Sequence, residues 1–316
     1  MKTVLAPRAS AILYEVLRSR GNNLPFLLPA NICPIVPMTF LKSGTPFEFV
    51  DISPESLHMD TDLVERRLRS DSGQYGGILY AHTYGDPTTP GEFFRWVKDR
   101  WNGLVVIDDR CLCIPELEPA EQSGVDVTLF STGYAKIADI GLGGFAFLRD
   151  ELTHEHHGLP FDELEQRATE VDYKASINAG RRYAYRDSAW LQTEAALPTW
   201  DEYAGRVRQA LQETIAQRRV INAVYNSVIP AELQLGIGFQ LWRFNLRLPN
   251  KDVALKAIFD AGLFASSHYR SLVGIMGEGT DANASDLSAH VVNLFNDHHY
   301  TIDMAERTAG IIVRSL

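Results

Sequence analysis

Across the first 150 residues, short apolar runs that suit buried strands alternate with stretches of helical periodicity, and this alternation limits the possible folds more than any other feature. Pro46 to Ile52 reads as a strand, Asp60 to Leu68 as a helix, Ile78 to His82 as a strand, Pro90 to Trp101 as a helix and Leu104 to Asp109 as a strand. Further strands are expected at 127–130 and 143–148, and a helix from Ala11 to Leu17 carries Ile12, Leu13, Val16 and Leu17 on one face. Strands separated by helices need crossovers, and crossovers are right-handed, so the expected fold is α/β with a mainly parallel sheet covered by helices on both faces. The run Leu104-Val105-Val106-Ile107 has no polar face, as a central strand of such a sheet requires.

The second half reads differently. Trp200 to Tyr225 has the pattern of one long amphipathic helix, with Tyr203, Val207, Leu211, Ile215 and Val224 at helical spacing. It is expected to leave a large domain, residues 1–198, and to start a smaller α+β domain, residues 199–316. There Phe239 to Leu248 alternates as an antiparallel strand, Lys251 to Ala261 reads as a helix closed by Gly262, and a further strand and helix complete the chain. The polar stretch Met276 to Ser285 is expected to be a mobile loop. Glu151 to Pro160, which carries His154, His156 and His157, is expected to be a solvated one.

At 316 residues with 45% hydrophobic and 22% charged side chains, the chain can bury a substantial core and does not resemble a disordered or fibrous protein. A formal charge of −10 argues against non-specific attraction to nucleic acid or to acidic membranes. The N-terminus lacks the apolar core of a signal peptide and no run of apolar residues is long enough to span a bilayer, so a cytoplasmic protein is expected. Three cysteines, Cys33, Cys111 and Cys113, make a disulfide framework improbable. Cys111-Leu112-Cys113 has no second Cys/His pair at zinc-ligand spacing, so no metal is expected.

Ligands of an open parallel sheet sit beyond the carboxyl ends of its strands, which gives weight to two segments. Val105 to Asp109 ends a buried strand in two carboxylates. Val127 to Phe130 runs into Ser131-Thr132-Gly133-Tyr134-Ala135-Lys136, and Gly141-Leu142-Gly143-Gly144 follows. A carboxylate and a lysine on the same rim of the sheet are what pyridoxal phosphate requires. The acid keeps the ring nitrogen protonated, and the lysine bonds covalently to the aldehyde and then shuttles protons. A helix start can receive the cofactor's phosphate, and Pro7-Arg8-Ala9-Ser10 opens the first helix, with Ser10 as a hydroxyl donor or a simple cap.

These segments together resemble the DegT/DnrJ/StrS-type sugar aminotransferases, fold-type-I pyridoxal-phosphate enzymes. Val106-Ile107-Asp108-Asp109 is similar to the family's Val-Ile-Glu-Asp, whose last acid meets the ring nitrogen. Phe130-Ser131, Lys136 and Gly141-Leu142-Gly143-Gly144 match its Phe-Ser, lysine and Gly-Glu-Gly-Gly in spacing. His82-Thr83-Tyr84-Gly85 resembles its His-x-Tyr-Gly, and the stretch from Leu41 to Asp51 resembles another of its segments. By resemblance Lys136 is the catalytic lysine, and Arg8, Ala9, Ser10, Asp109, Ser131 and Lys136 bind the cofactor. Arg186, His268 and Tyr269 contact substrate, and the enzyme is a homodimer with its site at the subunit boundary. The partners implied are an amino donor and a small carbonyl substrate.

The sequence also departs from that pattern. The family usually has a longer segment ahead of the helix that here starts at Pro7. Leu112 stands where a Gln or His is expected, and no aromatic residue occupies Asn31 to Cys33 to pack on the cofactor ring. Ala184-Tyr185-Arg186 lacks the Asn of the family's Asn-Tyr-Arg. Three functions therefore follow from the sequence: an aminotransferase acting on a keto-sugar or related carbonyl compound; another fold-type-I enzyme such as a dehydratase, lyase or racemase; and a non-catalytic relative kept as a binding subunit. Retention of both Lys136 and Asp109 favours the enzymes over the last.

Overall fold

The apolar runs pair side by side as the sequence predicts. The structure, a computed structural model, describes residues 1–119 and 124–316. Its first part comprises β1 (Lys2–Ala6), α1 (Ala9–Arg18), β2 (Phe26–Pro29), α2 (Ile35–Ser43), β3 (Phe47–Val50), α3 (Thr61–Asp71), β4 (Gly77–Ala81), α4 (Gly91–Arg100), β5 (Val105–Asp109), β6 (Val127–Ser131) and β7 (Gly144–Leu148). The strands form one seven-stranded sheet in the order β1-β7-β6-β5-β4-β2-β3. From β3 to β6 every neighbouring pair is parallel, while β7 runs antiparallel to both β6 and β1.

Alternation along the strands decides what each face carries. On β5, Val106 packs with Val64 and Leu68 of α3 and with Phe94 and Val97 of α4, whereas Val105 and Ile107 belong to the opposite core, which α1 and α2 cover. Complete burial of Phe94 alone stabilises the sheet–helix contact by about 1.5–3 kcal/mol. The same parity sends Asp108 and Asp109, neighbours in sequence, to opposite faces.

After α5 (Glu163–Ala179) comes α6 (Trp200–Val228), started by a capping box in which Thr199 and Glu202 bond each other's backbone N–H. Its first turns place Trp200, Tyr203 and Val207 on Phe130, Phe145 and Phe147 of β6 and β7. Its last turns place Ile221 and Tyr225 in a second core, under an antiparallel sheet ordered β8-β10-β9. That sheet is built from β8 (Phe244–Arg247), β9 (Ala265–Ser266) and β10 (Val291–Leu294), and α7 (Lys251–Asp260) and α9 (Ile302–Arg314) pack in the same core, with α8 (Ala282–His290) leading into β10.

Several expectations need correction. The strand expected over Phe239 to Leu248 is limited to Phe244–Arg247, because Ile237–Phe239 form a 3-10 turn that the Gln240 side chain ties to the Leu235 and Asn245 backbone. The stretch Met276 to Ser285 is not a free loop. Phe49 donates to the Glu278 carbonyl at 2.9 Å, and the Asp51 carboxylate accepts the N–H groups of Asn283 and Ala284 at 2.9 Å each, capping α8. The histidine-bearing loop is largely exposed, as expected, and is also anchored, since buried Glu15 on α1 meets His154 Nε2 at 3.1 Å and His156 Nδ1 at 2.6 Å. Among the described residues no cluster of ligating side chains could hold a metal ion, and no helix is long and apolar enough to cross a membrane.

Candidate active site

A cavity of about 470 Å³ opens beyond the carboxyl ends of β2, β4, β5 and β6. Arg8, Ala9, Ser10, Asp109, Ser131, Lys136 and Tyr269, chosen from sequence, all line it. Arg186 and His268 do not. Arg186 is exposed on the extended segment between α5 and α6, and His268 is exposed beside Trp242, with ring centroids 6.1 Å apart.

Asp109 reaches the cavity because it is the last residue of β5, on the face that the parity of the strand assigns to α1. Its Oδ1 accepts the Cys111 N–H at 3.0 Å, fixing the carboxylate at the strand end. Asp108 faces the other way and is wholly buried. Its Oδ1 lies 2.7 Å from His82 Nε2 and its Oδ2 lies 3.6 Å from Arg110 Nε, while His82 Nδ1 meets the Asp86 carbonyl at 2.8 Å. Asp108, the first acid of the pair, thus braces the rim from behind. Burial and the Asp109 carboxylate push the Cys111 thiol well up, and nearby Lys136 opposes them.

The glycine-rich stretch is explained by the approach of α1. A Cβ on Gly144 would lie 2.3 Å from Ala9 N and 2.6 Å from Ala9 Cα, so only glycine lets the start of β7 touch the start of α1. Gly143, at φ 85°, donates to the Pro7 carbonyl at 2.9 Å. The first turn of α1 has no side-chain cap, and its positive end, with Ser10, borders the cavity. Arg8 stands at the cap position. One Nη donates to Gln166 Oε1 at 3.0 Å, and burial lowers the guanidinium's pKa against the opposing pull of Glu170.

Lys136 rides on a loop fastened at several points. Ala135 holds a left-handed φ of 62°, a conformation that costs a non-glycine residue about 1–2 kcal/mol. The surrounding bonds offset that cost: Ala135 N–H donates to Asp139 Oδ2 at 2.9 Å, its carbonyl accepts the Trp242 indole at 2.9 Å, and Gly141 N–H donates to the other Asp139 oxygen at 2.9 Å. The wall beneath is apolar, formed by Leu112, Leu129 and Ile32.

Some lining residues gave no signal in the sequence. Gln192 and Ala195 to Leu197, from the segment between α5 and α6, cover one side of the cavity. They come from a stretch with neither helical nor strand periodicity, so nothing short of the fold could assign them. Leu112 and Cys33 also line the cavity, at positions where the sequence departs from the family pattern.

No protein-family model matches the chain, and no curated protein matches it in sequence. Solved structures do match it. A sugar aminotransferase, CalS13 from Micromonospora echinospora, superposes with a TM-score of 0.71 at 19% identity, over 99% of this chain and 87% of the other. The aminotransferase TlmJ from Streptoalloteichus hindustanus gives 0.71 at 18% identity, over 99% and 85%. A DegT DnrJ EryC1 StrS aminotransferase from Brucella abortus gives 0.71 at 15% identity, over 99% and 86%. The chain therefore has the α/β fold of the fold-type-I pyridoxal-phosphate transferases. Its structural neighbours are DegT/DnrJ/EryC1/StrS-type sugar aminotransferases, as the sequence motifs led one to expect.

Proposed function

We propose that the protein is a pyridoxal-phosphate-dependent aminotransferase, and the convergence of Lys136 and Asp109 on one cavity carries that reading. The cavity suits the cofactor in three respects. Its volume is in the range of small-ligand sites, about 300–1,000 Å³. An uncapped helix N-terminus lies at one end of it, with the Ser10 and Ser131 hydroxyls and the Arg8 guanidinium alongside, a donor set for a phosphate. A carboxylate already fixed by a backbone N–H lies on another wall, suited to accept a proton-bearing ring nitrogen. Bound there, pyridoxal phosphate would supply an aromatic electron sink that stabilises negative charge on a substrate carbon.

The chain's own groups would then divide the work. The α1 N–H groups, Ser10, Ser131 and Arg8 hold the phosphate, and Asp109 keeps the ring nitrogen charged. Lys136 Nζ would be the group that holds the cofactor covalently, and the same amine would be placed to move a proton at the substrate carbon. The fastening of Ala135 by Asp139 and Trp242 sets the reach of that amine. Leu112, Leu129 and Ile32 keep the ring's surroundings dry.

An amino acid such as glutamate is proposed as donor, and a keto-sugar or related carbonyl compound as acceptor. The neighbour CalS13, named a sugar aminotransferase, supports the acceptor class. A homodimer is part of the proposal. In the single chain α5 buries Ser176 alone, with Leu164 73% and Val171 70% exposed, which is the surface a second subunit would cover. Leu112, in place of a polar residue against the cofactor, is the one observation that favours a different fold-type-I reaction. The cofactor-loaded protein should consume about one equivalent of amino donor without any acceptor, as ping-pong transfer demands, and Lys136→Ala should abolish turnover. Consumption by no donor despite bound cofactor would favour a lyase, dehydratase or racemase.

A further inference from the structure

A second cavity, of about 710 Å³, lies between the Lys136 loop, the middle of α6 and the start of α9. Two guanidinium groups in its walls are almost wholly buried, Arg218 at 1% and Arg243 at 2% exposure. The acceptors of Arg218 are all uncharged: the Thr214 hydroxyl, the Leu241, Trp242 and Lys136 carbonyls, and the Asn296 amide. Among the described residues no carboxylate hydrogen-bonds it, and Asp297 and Asp139 act on its charge through space only. Arg243 shares Asp297, with Nη1 to Oδ2 at 2.8 Å, yet its buried Nε has no hydrogen-bond partner among the described residues. Burial and the neighbouring Arg243 together hold the Arg218 pKa down at about 10, the mark of two like charges kept close in a poorly solvated place.

The acidic residues of the cavity are already engaged. Asp297 serves Arg243, Asp139 takes the two backbone N–H groups of the Lys136 loop, and Glu213 at the exposed rim accepts from Gln209 at 3.2 Å. The N-terminus of α9, at Thr301 and Ile302, adds its positive end, and His298 and His299 stand at the mouth. A buried donor without a partner on one guanidinium, beside a second guanidinium whose hydrogen-bond partners are all uncharged, leaves the cleft able to take one more acceptor even with Asp297 and Asp139 nearby.

We infer that this cleft binds a small oxyanion, the phosphate or carboxylate group of an effector or substrate, with Arg243 as its principal ligand. Occupancy would be felt at the Lys136 loop, because Arg218 bonds the Lys136 carbonyl and Trp242, next to Arg243, bonds that of Ala135. The inference does not depend on pyridoxal phosphate, which concerns the first cavity.

The test is a calorimetric and tryptophan-fluorescence titration of the full-length chain with inorganic phosphate and, separately, with acetate. Chloride serves as the ionic-strength control, and the set is run with and without added pyridoxal phosphate. Saturable binding of one or both oxyanions that persists with pyridoxal phosphate present is expected, and the stronger of the two identifies the group; any phosphate binding lost when pyridoxal phosphate is added belongs to the first cavity. Arg243→Gln should weaken it about tenfold or more, as loss of a charged donor does. Glu213→Gln, at the exposed rim, should tighten it and provides a test even if the arginine variant fails to fold. Binding indistinguishable from chloride, no oxyanion binding left once pyridoxal phosphate is present, or affinity unchanged in the variants would overturn the assignment.

Discussion

Adding one methyl group at Gly144 is the sharpest probe of how the glycine-rich stretch serves the site. Alanine there would put its Cβ 2.3 Å from Ala9 N, whereas ordinary contact begins near 3.4 Å, so the start of α1 must retreat by about 1.1 Å. Both atoms are held in place, one by the β6–β7 ladder and the other by the helix, and overpacking of this kind costs about 1–3 kcal/mol. The functional cost is larger than the shift suggests. Hydrogen bonds from the α1 N–H groups to a phosphate operate over about 2.7–3.2 Å, so a retreat of that size breaks one of them. At about 1.5–3 kcal/mol per charge-assisted bond, pyridoxal phosphate should bind Gly144→Ala roughly 10- to 100-fold more weakly. Urea denaturation gives the first quantity and absorbance titration with the cofactor gives the second. A variant that binds the cofactor as tightly as the parent would refute the idea that the helix start is the phosphate site.

Other consequences follow from the same geometry. Asp109→Asn should lower turnover about 10- to 100-fold while the covalent attachment at Lys136 persists, measured by steady-state kinetics beside absorbance, whereas unchanged turnover would remove Asp109 from its role. Ala135→Gly should raise stability by up to about 1 kcal/mol by relieving the left-handed residue, read from the urea midpoint, and a loss of stability would contradict the strain. Glu15 is held below the usual carboxylate range because hydrogen bonds from His154 and His156 outweigh its burial, and the bond to Glu15 raises His156. Their contribution to stability is thus present between those two values. It should fade as pH rises through the raised histidine value and as pH falls through the lowered carboxylate value, and Glu15→Gln should flatten the urea midpoint across both limits.

The parts of the fold legible in sequence are those that solve a local problem visibly. Val105 to Ile107 had to be a central strand because no polar face existed to meet water, and the helix from Ala11 to Leu17 announced itself by one apolar face. The missed elements lack such signals. β1 is a half-exposed edge strand, β2 ends in proline and α2 contains Pro37, while α5 buries only Ser176 fully and rests Tyr173 and Ile177 half-buried on the core. In the candidate site, Lys136 and Asp109 stood out because the proposed chemistry needs those residue types, and Gly144 because close packing leaves no room for a Cβ. Gln192 and Ala195 to Leu197 were invisible because they cover the cavity only through the path of an extended segment, which leaves no periodicity. The Met276 to Ser285 stretch was misjudged for a related reason: main-chain bonds and the Asp51 cap fix it, and neither alters its polar composition.

The central claim is most directly tested by adding pyridoxal phosphate to the purified protein, recording the visible absorption, reducing with borohydride and mapping the modified peptide by mass. A visible band and a single reduced adduct on Lys136 are the predicted outcome. Absence of a band, or an adduct scattered over exposed lysines such as Lys174 and Lys256 with Lys136 unmodified, would contradict the account and leave the fold without the chemistry of its neighbours.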